Sequence, residues 1–425
     1  MNNTELKEKI ISGGFDKDFE LLYGNTETAR NRYLKAVDSF TSFFGERDNI
    51  RLFSAPGRTE VGGNHTDHQH GCVLAGSVDL DVIAIASAND ENIIRIRSEG
   101  FPMDVIELDN VSMLNEEKGR SAALIRGVCA AFKNKGYKIG GFDAYTTSNV
   151  LKGSGLSSSA AFEVLVSNLI NGIYNENAVD AVTIAKFSQF AESEYFGKPC
   201  GLLDQMASSV GGFTYADFFD PTNPIVEKIN VDFSKSGYTL CVVDTGGNHA
   251  DLTGDYADIT SEMKAVSEFL GGKKHLRNVD EKEFYEQIGS LRKSCGDRAV
   301  LRAFHFFNES KRVEEQKIAL KNTDFDTFLN LVNESGESSY KYLQNLYSTS
   351  NIREQGLCLA IAITKHYLGD KGACRVHGGG FAGTIQCYIP NDMLSGYREM
   401  IENVFGKGSF VPLKIRPVGG YELSN

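Results

Sequence analysis

Nothing in the 425 residues approaches the roughly 20 consecutive apolar positions that a membrane-spanning helix requires. Positive charge is in the minority, 44 Lys and Arg against 56 Asp and Glu. The formal charge of −12 argues against a general nucleic-acid or anionic-membrane binder. A local phosphate site is compatible with that field, because a few cations and a helix N-terminus outweigh it at short range. Proline is scarce, at 8 residues, and no repeat, low-complexity tract or Pro/Gly/Ser linker interrupts the chain. The eight cysteines (72, 129, 200, 241, 295, 358, 374 and 387) show no CxxC or zinc-type spacing. Most lie in apolar strings, which reads as buried reduced thiols. Residues 1–9 are polar and carry Glu5 and Glu8, unlike a signal peptide, so a cytoplasmic protein with no membrane or nucleic-acid partner is expected.

What is present is the balance of a globular chain, 41% hydrophobic and 24% charged, at a length that favours two domains. Residues 4–45 read as helical, and 50–98 as short β-branched runs broken by Gly, Asn and Asp. A helix over 121–135 and a strand over 142–148 follow, then a long helix from about Ser158. The second half places strands at 226–231, 238–243, 373–377, 383–389 and 414–418 among helices at 256–270, 281–293, 298–320, 324–346, 351–368 and 391–404. Interleaving without regular βαβ alternation predicts an α+β fold. The expected division is 1–205 and 206–425, with 1–48 a helical extension and the last strand a candidate to return to the first domain.

Lys152-Gly-Ser-Gly-Leu-Ser-Ser-Ser-Ala160 is the most informative segment. Its glycines permit a tight turn and close backbone approach, and its serines stand where a helix begins. Free N–H groups and the positive end of the helix dipole then face outward, which suits a phosphate. A capped helix after a glycine turn explains the segment alone equally well, and no Walker A lysine follows the glycines. Two other segments are unusual. Val376-His-Gly-Gly-Gly-Phe-Ala-Gly383 has four glycines in six residues between apolar strands, for backbone approach to a ligand or for a tight hairpin. Ala55-Pro-Gly-Arg58 with Asn64-His-Thr-Asp-His-Gln-His70 crowds a guanidinium, a carboxylate and three imidazoles, where a solvated polar loop outweighs a metal site.

Taken in this order, the three segments resemble the three motifs of the GHMP kinases, and within them the galactokinases. Ala191-Glu192 with Gly197, Pro199-Cys-Gly-Leu-Leu-Asp-Gln205, and Arg302-Ala-Phe-His305 with Glu309 and Arg312-Val313 add to the likeness, which runs from about residue 50 to the C-terminus. The resemblance implies two domains, ribosomal-protein-S5-like and ferredoxin-like, with the site in the cleft between them. It also implies an ATP-dependent sugar 1-kinase. Asp204 would accept or orient the anomeric proton, with Arg58 beside it. Gly153, Ser154, Gly155, Leu156, Ser157, Ser158 and Ser159 would form the ATP loop, and Ser159 and Glu192 would hold Mg²⁺. Asn64, His65, Asp67, Gly201 and Tyr256 would contact the sugar, Tyr256 on a weaker match because the arginines that usually follow it are missing. A monomer is expected, with a dimer left open.

The signature departs from the family's Arg-Val-Asn-Leu-Ile-Gly-Glu-His-Thr-Asp-Tyr at several places. Here it reads Arg58-Thr-Glu-Val-Gly-Gly-Asn-His-Thr-Asp-His68. Glu60 stands for Asn, Asn64 for the glutamate that faces the sugar C6 hydroxyl, and His68 for Tyr, while His377 replaces the usual Thr or Ser of the third motif. Losing a carboxylate at 64 lowers the cost of a carboxylate at C6, and the His-x-Asp-His-Gln ending resembles plant uronic-acid kinases. Galactose is the expected substrate, galacturonate or another modified hexose the alternative, and a non-catalytic sugar and ATP sensor the reading from another class.

Overall fold

The computed structural model describes residues 1–151, 155–247 and 252–424. The region expected to be helical from 4 to 45 is three helices: α1 (Asn3–Ile11), α2 (Asp16–Tyr23) and α3 (Thr26–Phe44). Gly24, in the left-handed region at φ 61°, ends α2, and the Asn25 side chain then caps α3 by accepting the Thr28 N–H at 3.1 Å. Two long strands follow, β1 (Arg51–Gly62) and β2 (Cys72–Ala88), where the sequence pattern predicts shorter runs. Next come β3 (Ile93–Ser98), β4 (Met103–Glu107), α4 (Ser121–Asn134), β5 (Phe142–Ser148), α5 (Ser158–Asn175), α6 (Ala181–Phe190), α7 (Leu203–Val210), β6 (Phe213–Asp217) and β7 (Ile225–Ile229).

The remaining elements are β8 (Tyr238–Asp244), α8 (Thr253–Phe269), α9 (Glu281–Glu286), α10 (Ile288–Ser294), α11 (Asp297–Lys321), α12 (Phe325–Ser338), α13 (Gly356–Leu368), β9 (Ala373–Val376), β10 (Thr384–Pro390), α14 (Leu394–Phe405), β11 (Phe410–Leu413) and β12 (Tyr421–Glu422). The terminal strand expected over 414–418 is instead β11, a single bridge from Ile415 to Val78, and β12.

The fold is α+β, built on two sheets. The first runs β12-β1-β2-β5-β3-β4, with β6 and β7 attached to the start of β2. The second is β11-β8-β10-β9. Sheet membership changes between β7 and β8: β6 and β7 belong to the first sheet and β8 to the second.

The strands β1 and β2 are buried almost throughout because both sheet faces are covered. Phe53, Ala84 and Ala86 join the core beneath α4 and α5, while Leu52, Ile83 and Ile85 pack against Phe19, Tyr33 and Phe40 of the N-terminal helices. Residues of the second sheet, Leu240, Val242, Ala373 and Tyr388, belong to the same core cluster as the first. One apolar core therefore ties the two sheets together.

A buried ion cluster fastens the N-terminal helices to the strands that carry the site. Asp81 of β2, with no exposed side-chain surface, accepts from Arg32 Nη1 at 2.5 Å, Tyr23 Oη at 2.6 Å and Arg416 Nη1 at 3.1 Å. Burial alone would raise the Asp81 pKa, but Arg32 and Arg416 outweigh it and hold the group below its ordinary value. The same residue accepts the Asn149 N–H on its carbonyl at 3.1 Å, while its own N–H donates to Asn149 Oδ1 at 2.6 Å. Asn149 lies just before the glycine-serine segment, so the cluster sets where that segment leaves the sheet. Asp81→Asn removes the charge that faces fully buried Arg416 and partly buried Arg32 and is expected to cost about 3 kcal/mol or more, measured by urea denaturation at pH 7.5.

Candidate active site

Four pieces of backbone converge at one end of the first sheet: the middle of β1, the N-termini of α5 and α7, and the β9–β10 hairpin. Gly57 lets β1 reach the turn before α5, since a Cβ there would lie 2.8 Å from the Leu156 carbonyl oxygen. Arg58 N–H donates to that oxygen at 2.9 Å. The β1–β2 register slips between Pro56 and Arg58, a local irregularity at the point where the guanidinium leaves the sheet. Arg58 Nε then donates to Asp204 Oδ1 at 2.7 Å, and its Nη1 donates to the Gly155 carbonyl. Asp204 Oδ2 accepts from Ser157 Oγ at 2.7 Å.

Burial pushes the Asp204 pKa upward, and Arg58 with the Ser157 and Arg58 hydrogen bonds more than reverses it, so the carboxyl stays ionised below its usual range. Its side chain keeps 34% exposure against 8% for Arg58, which leaves the carboxylate reachable by a ligand and the arginine behind it. Arg58, Asp204, Gly155, Leu156 and Ser157 are thus brought together. Leu156 is buried and serves through its carbonyl. Gly153 and Ser154 lie outside the described residues.

One helical turn further, Ser159 Oγ donates to Glu192 Oε1 at 3.2 Å. The other Glu192 oxygen accepts from Gln205 Nε2 at 2.7 Å, and the same amide nitrogen donates to Glu163 Oε2 at 3.1 Å. Glu163 is fully buried, and burial followed by the Glu192 charge raises its pKa well above normal, so it is a neutral acid. The sequence reading missed Glu163, which looks like ordinary helix interior, and quoted Gln205 only as the end of a motif, with no role. The fold brings α5, α7 and the turn at Glu192 to one amide. Lys198 Nζ, on a side chain 63% exposed, donates to Glu192 Oε1 at 3.1 Å. The oxygens of Ser159 and Glu192, with Gln205 fixing the carboxylate, are the hard donors that suit Mg²⁺. No group of three or more His, Cys, Asp or Glu among the described residues forms a protein-only metal cage.

On the other side of Asp204 lies Asp67. A Cβ on Gly201 would collide with the Asp67 carboxylate, so glycine is required for that close approach. Burial raises the Asp67 pKa to about 6. His65 Nε2 donates to the Gly379 carbonyl at 2.9 Å, leaving Nδ1 as an acceptor, and burial lowers its pKa so the ring is neutral. The Tyr256 ring lies 6.5 Å from that of His65, covers Gly379, and donates its hydroxyl to the Gly380 carbonyl at 2.9 Å. The third glycine-rich segment therefore serves as both a hairpin connection and a floor for these side chains. Ser158 stands at the first residue of α5.

Asn64 is 1% exposed and its amide is spent inside the protein. Its Nδ2 donates to Glu60 Oε1 at 2.9 Å and the Gly378 carbonyl at 2.7 Å, while Oδ1 accepts from Asn345 Nδ2 at 2.8 Å and Ser339 Oγ at 3.3 Å. The charge absent at 64 stands four residues earlier, on Glu60, which is paired with fully buried Arg375 at 2.8 Å. His377 accepts the Glu60 N–H on Nε2 at 3.3 Å, which leaves Nδ1 to donate to Thr384 Oγ1 at 2.9 Å. Behind them α11 braces the turn: His305 Nε2 donates to the Asn64 carbonyl at 2.9 Å, and Glu309 Oε1 accepts the Gly63 N–H at 3.0 Å.

An ionised carboxylate clasped by a buried guanidinium, beside a glycine-serine turn into a helix, suits phosphoryl transfer. The GHMP kinase class is borne out by comparison. The GHMP kinase N-terminal domain matches residues 123–212, and the galactokinase galactose-binding signature matches 38–88. The galactokinase of Thermotoga petrophila is 32% identical over 334 residues, 78% of this chain and 87% of its own length. That of Clostridium tetani is 28% identical over 370 residues, 87% and 91% of the two chains. The fold matches the galactose-complexed galactokinase of Lactococcus lactis with a TM-score of 0.76 at 22% identity, covering 92% of this chain and 99% of that one. The mevalonate kinase of Methanococcus jannaschii gives 0.61 at 14% identity, covering 87% and 99%. The chain belongs to the galactokinase family of the GHMP kinases, and it is a phosphotransferase that uses ATP.

The raised Asp67 pKa carries a stability consequence with a definite sign. Its folded-state value, about 6, exceeds the ordinary value of 3.8, so the folded chain binds the extra proton between those pH values. Stability from this group is therefore fully present below about 3.8 and lost as pH rises through about 6. Asp67→Asn is expected to be more stable than the parent at pH 7.5, with the gap narrowing by pH 5 in paired denaturation curves.

Proposed function

We propose that the protein transfers the γ-phosphoryl group of ATP to the anomeric hydroxyl of D-galactose. The observation that carries this reading is the Arg58–Asp204–Ser157 constellation, with Asp67 on one side of Asp204 and the phosphate loop on the other. Phosphoryl transfer asks for an oriented nucleophile, a proton acceptor and charge stabilisation, rather than a covalent intermediate on the protein. Asp204, ionised and partly exposed, would orient the hydroxyl and take its proton as the O–P bond forms and the bond to the ADP oxygen breaks. Arg58 would offset the charge that develops on the transferring group. Its bonds to Asp204 and to the Gly155 carbonyl hold it in place beforehand, so little reorganisation accompanies the reaction.

Ser159 and Glu192 would hold Mg²⁺, which when bound neutralises phosphate charge. Gln205 and Glu163 keep the Glu192 carboxylate turned toward the loop. Asp67, the His65 Nδ1 lone pair and the Gly201 backbone would read the sugar hydroxyls, with Tyr256 closing the wall. The eight cysteines are free thiols, in keeping with a reducing cytoplasm.

A second reading, a C6-modified hexose such as galacturonate, has one observation behind it: Asn64 replaces an acid, and the Glu60 charge is absorbed by Arg375. Competition between the two sugars separates them. Galactose is expected to give the higher kcat/KM, and the reverse order would move the assignment to the uronic acid. Asp204→Asn is expected to lower kcat by about 100-fold or more while leaving ATP affinity nearly unchanged; normal turnover in that variant would remove Asp204 from the proton-acceptor role.

A further inference from the structure

We propose that His68 is a specificity-determining residue: a neutral imidazole that donates one hydrogen bond, from Nε2, to an oxygen of the sugar. The inference rests on the sugar-kinase reading and deepens it. The direction of this hydrogen bond follows from neighbours that leave no choice of tautomer. Gln69 is buried, and the Leu276 N–H donates to its Oε1 at 3.0 Å, which fixes the amide with its carbonyl toward Leu276. The Gln69 NH₂ group therefore faces His68 Nδ1, at 3.4 Å. An amide nitrogen only donates, so Nδ1 accepts and the single ring proton sits on Nε2. Burial, with His65 and His275 nearby, lowers the His68 pKa to about 3, so the ring carries no second proton near neutrality.

Nε2 is buried and has no hydrogen-bond partner among the described residues. Buried donors in native proteins are paired, so this one points to a missing acceptor. Its surroundings say which. The His68 N–H donates to Asp67 Oδ1 at 2.9 Å, and the His68 ring lies 5.7 Å from that of His65. Both neighbours belong to the sugar side of the site, and Tyr256 lies beyond His65.

The acceptor is then a substrate oxygen, whether a hydroxyl, which keeps its own proton for another partner, or a carboxylate. A ligand carrying an ammonium group at that place offers no lone pair and would be rejected. The tyrosine that galactokinases usually carry here can donate or accept, whereas neutral His68 in this tautomer can only donate toward the ligand. The departure from the signature is therefore a restriction of the pocket.

The test compares the parent enzyme, His68→Phe and His68→Gln on galactose, its 2-, 3-, 4- and 6-deoxy analogues, and galactosamine. In the parent one deoxy sugar should lose about 10- to 100-fold in kcat/KM, and His68→Phe should lose that factor on galactose without a further loss on that same analogue. His68→Gln, which restores an N–H donor, should recover part of it with the melting temperature and ATP affinity of the parent. Nitrogen-15 NMR should show His68 protonated on Nε2, with that signal moving when galactose is added. Equal losses on every sugar, undiminished kcat/KM in His68→Phe, or an Nδ1 proton would overturn the assignment. No turnover of any sugar by the parent would instead sink the kinase reading, and the His68 NMR signal would still report whether sugar engages this nitrogen.

Discussion

The ion pair between Arg58 and Asp204 is the contact on which the rest of the arrangement depends. Its members are 146 residues apart, one on β1 and one opening α7, and the pair spans the gap between sheet and helix. Arg58 also grips the Gly155 carbonyl, so the turn into α5 is positioned by the same side chain that keeps the carboxylate ionised. A carboxylate at this depth without its arginine would be pushed toward the neutral acid, which could not accept a proton. The pair is consequently a device for keeping one acid charged in a site where burial acts against it.

Support for that pair is layered. Behind the loop, Asp81 gathers Arg32 and Arg416 and anchors Asn149, so the N-terminal helices reach the site through the strand they cover. On the Asp67 side, α11 and the third glycine-rich segment hold the 63–65 turn, where His65 adopts a left-handed backbone at φ 58°. A non-glycine residue in that region is strained, and the bonds from His305 and to Glu309 on one flank and to Gly379 on the other over-determine it. The two sheets contribute jointly, which is why the site sits where their shared core meets the surface.

Much of this was legible in the residues. The glycine-serine segment announced a turn into a helix, and the α+β class followed from the irregular succession of strands and helices. The grouping of Arg58, Asp204 and Glu192 came through resemblance, because contacts between distant positions leave no periodic trace. Two things were hidden for physical reasons. Glu163 looks like a routine helix position and Gln205 like the tail of a motif, and their shared meaning arises only when two helices and a turn place both carboxylates on one amide. Asn64 stood out by substitution, yet the fold spends its amide internally and shows the missing charge displaced to Glu60 and matched by Arg375. The long β1 and β2 strands escaped notice because their second buried face depends on the N-terminal helices.

In the proposed reaction a preformed Arg58–Asp204 pair directs phosphate from ATP onto a sugar's anomeric oxygen. Phosphorus NMR of the product formed from ATP, Mg²⁺ and galactose tests it most directly, since coupling to the anomeric proton identifies the bonded carbon. Stoichiometric ADP and a single phosphomonoester coupled to H1 are expected. Phosphate on C6, or ATP hydrolysis without a sugar ester, would contradict it.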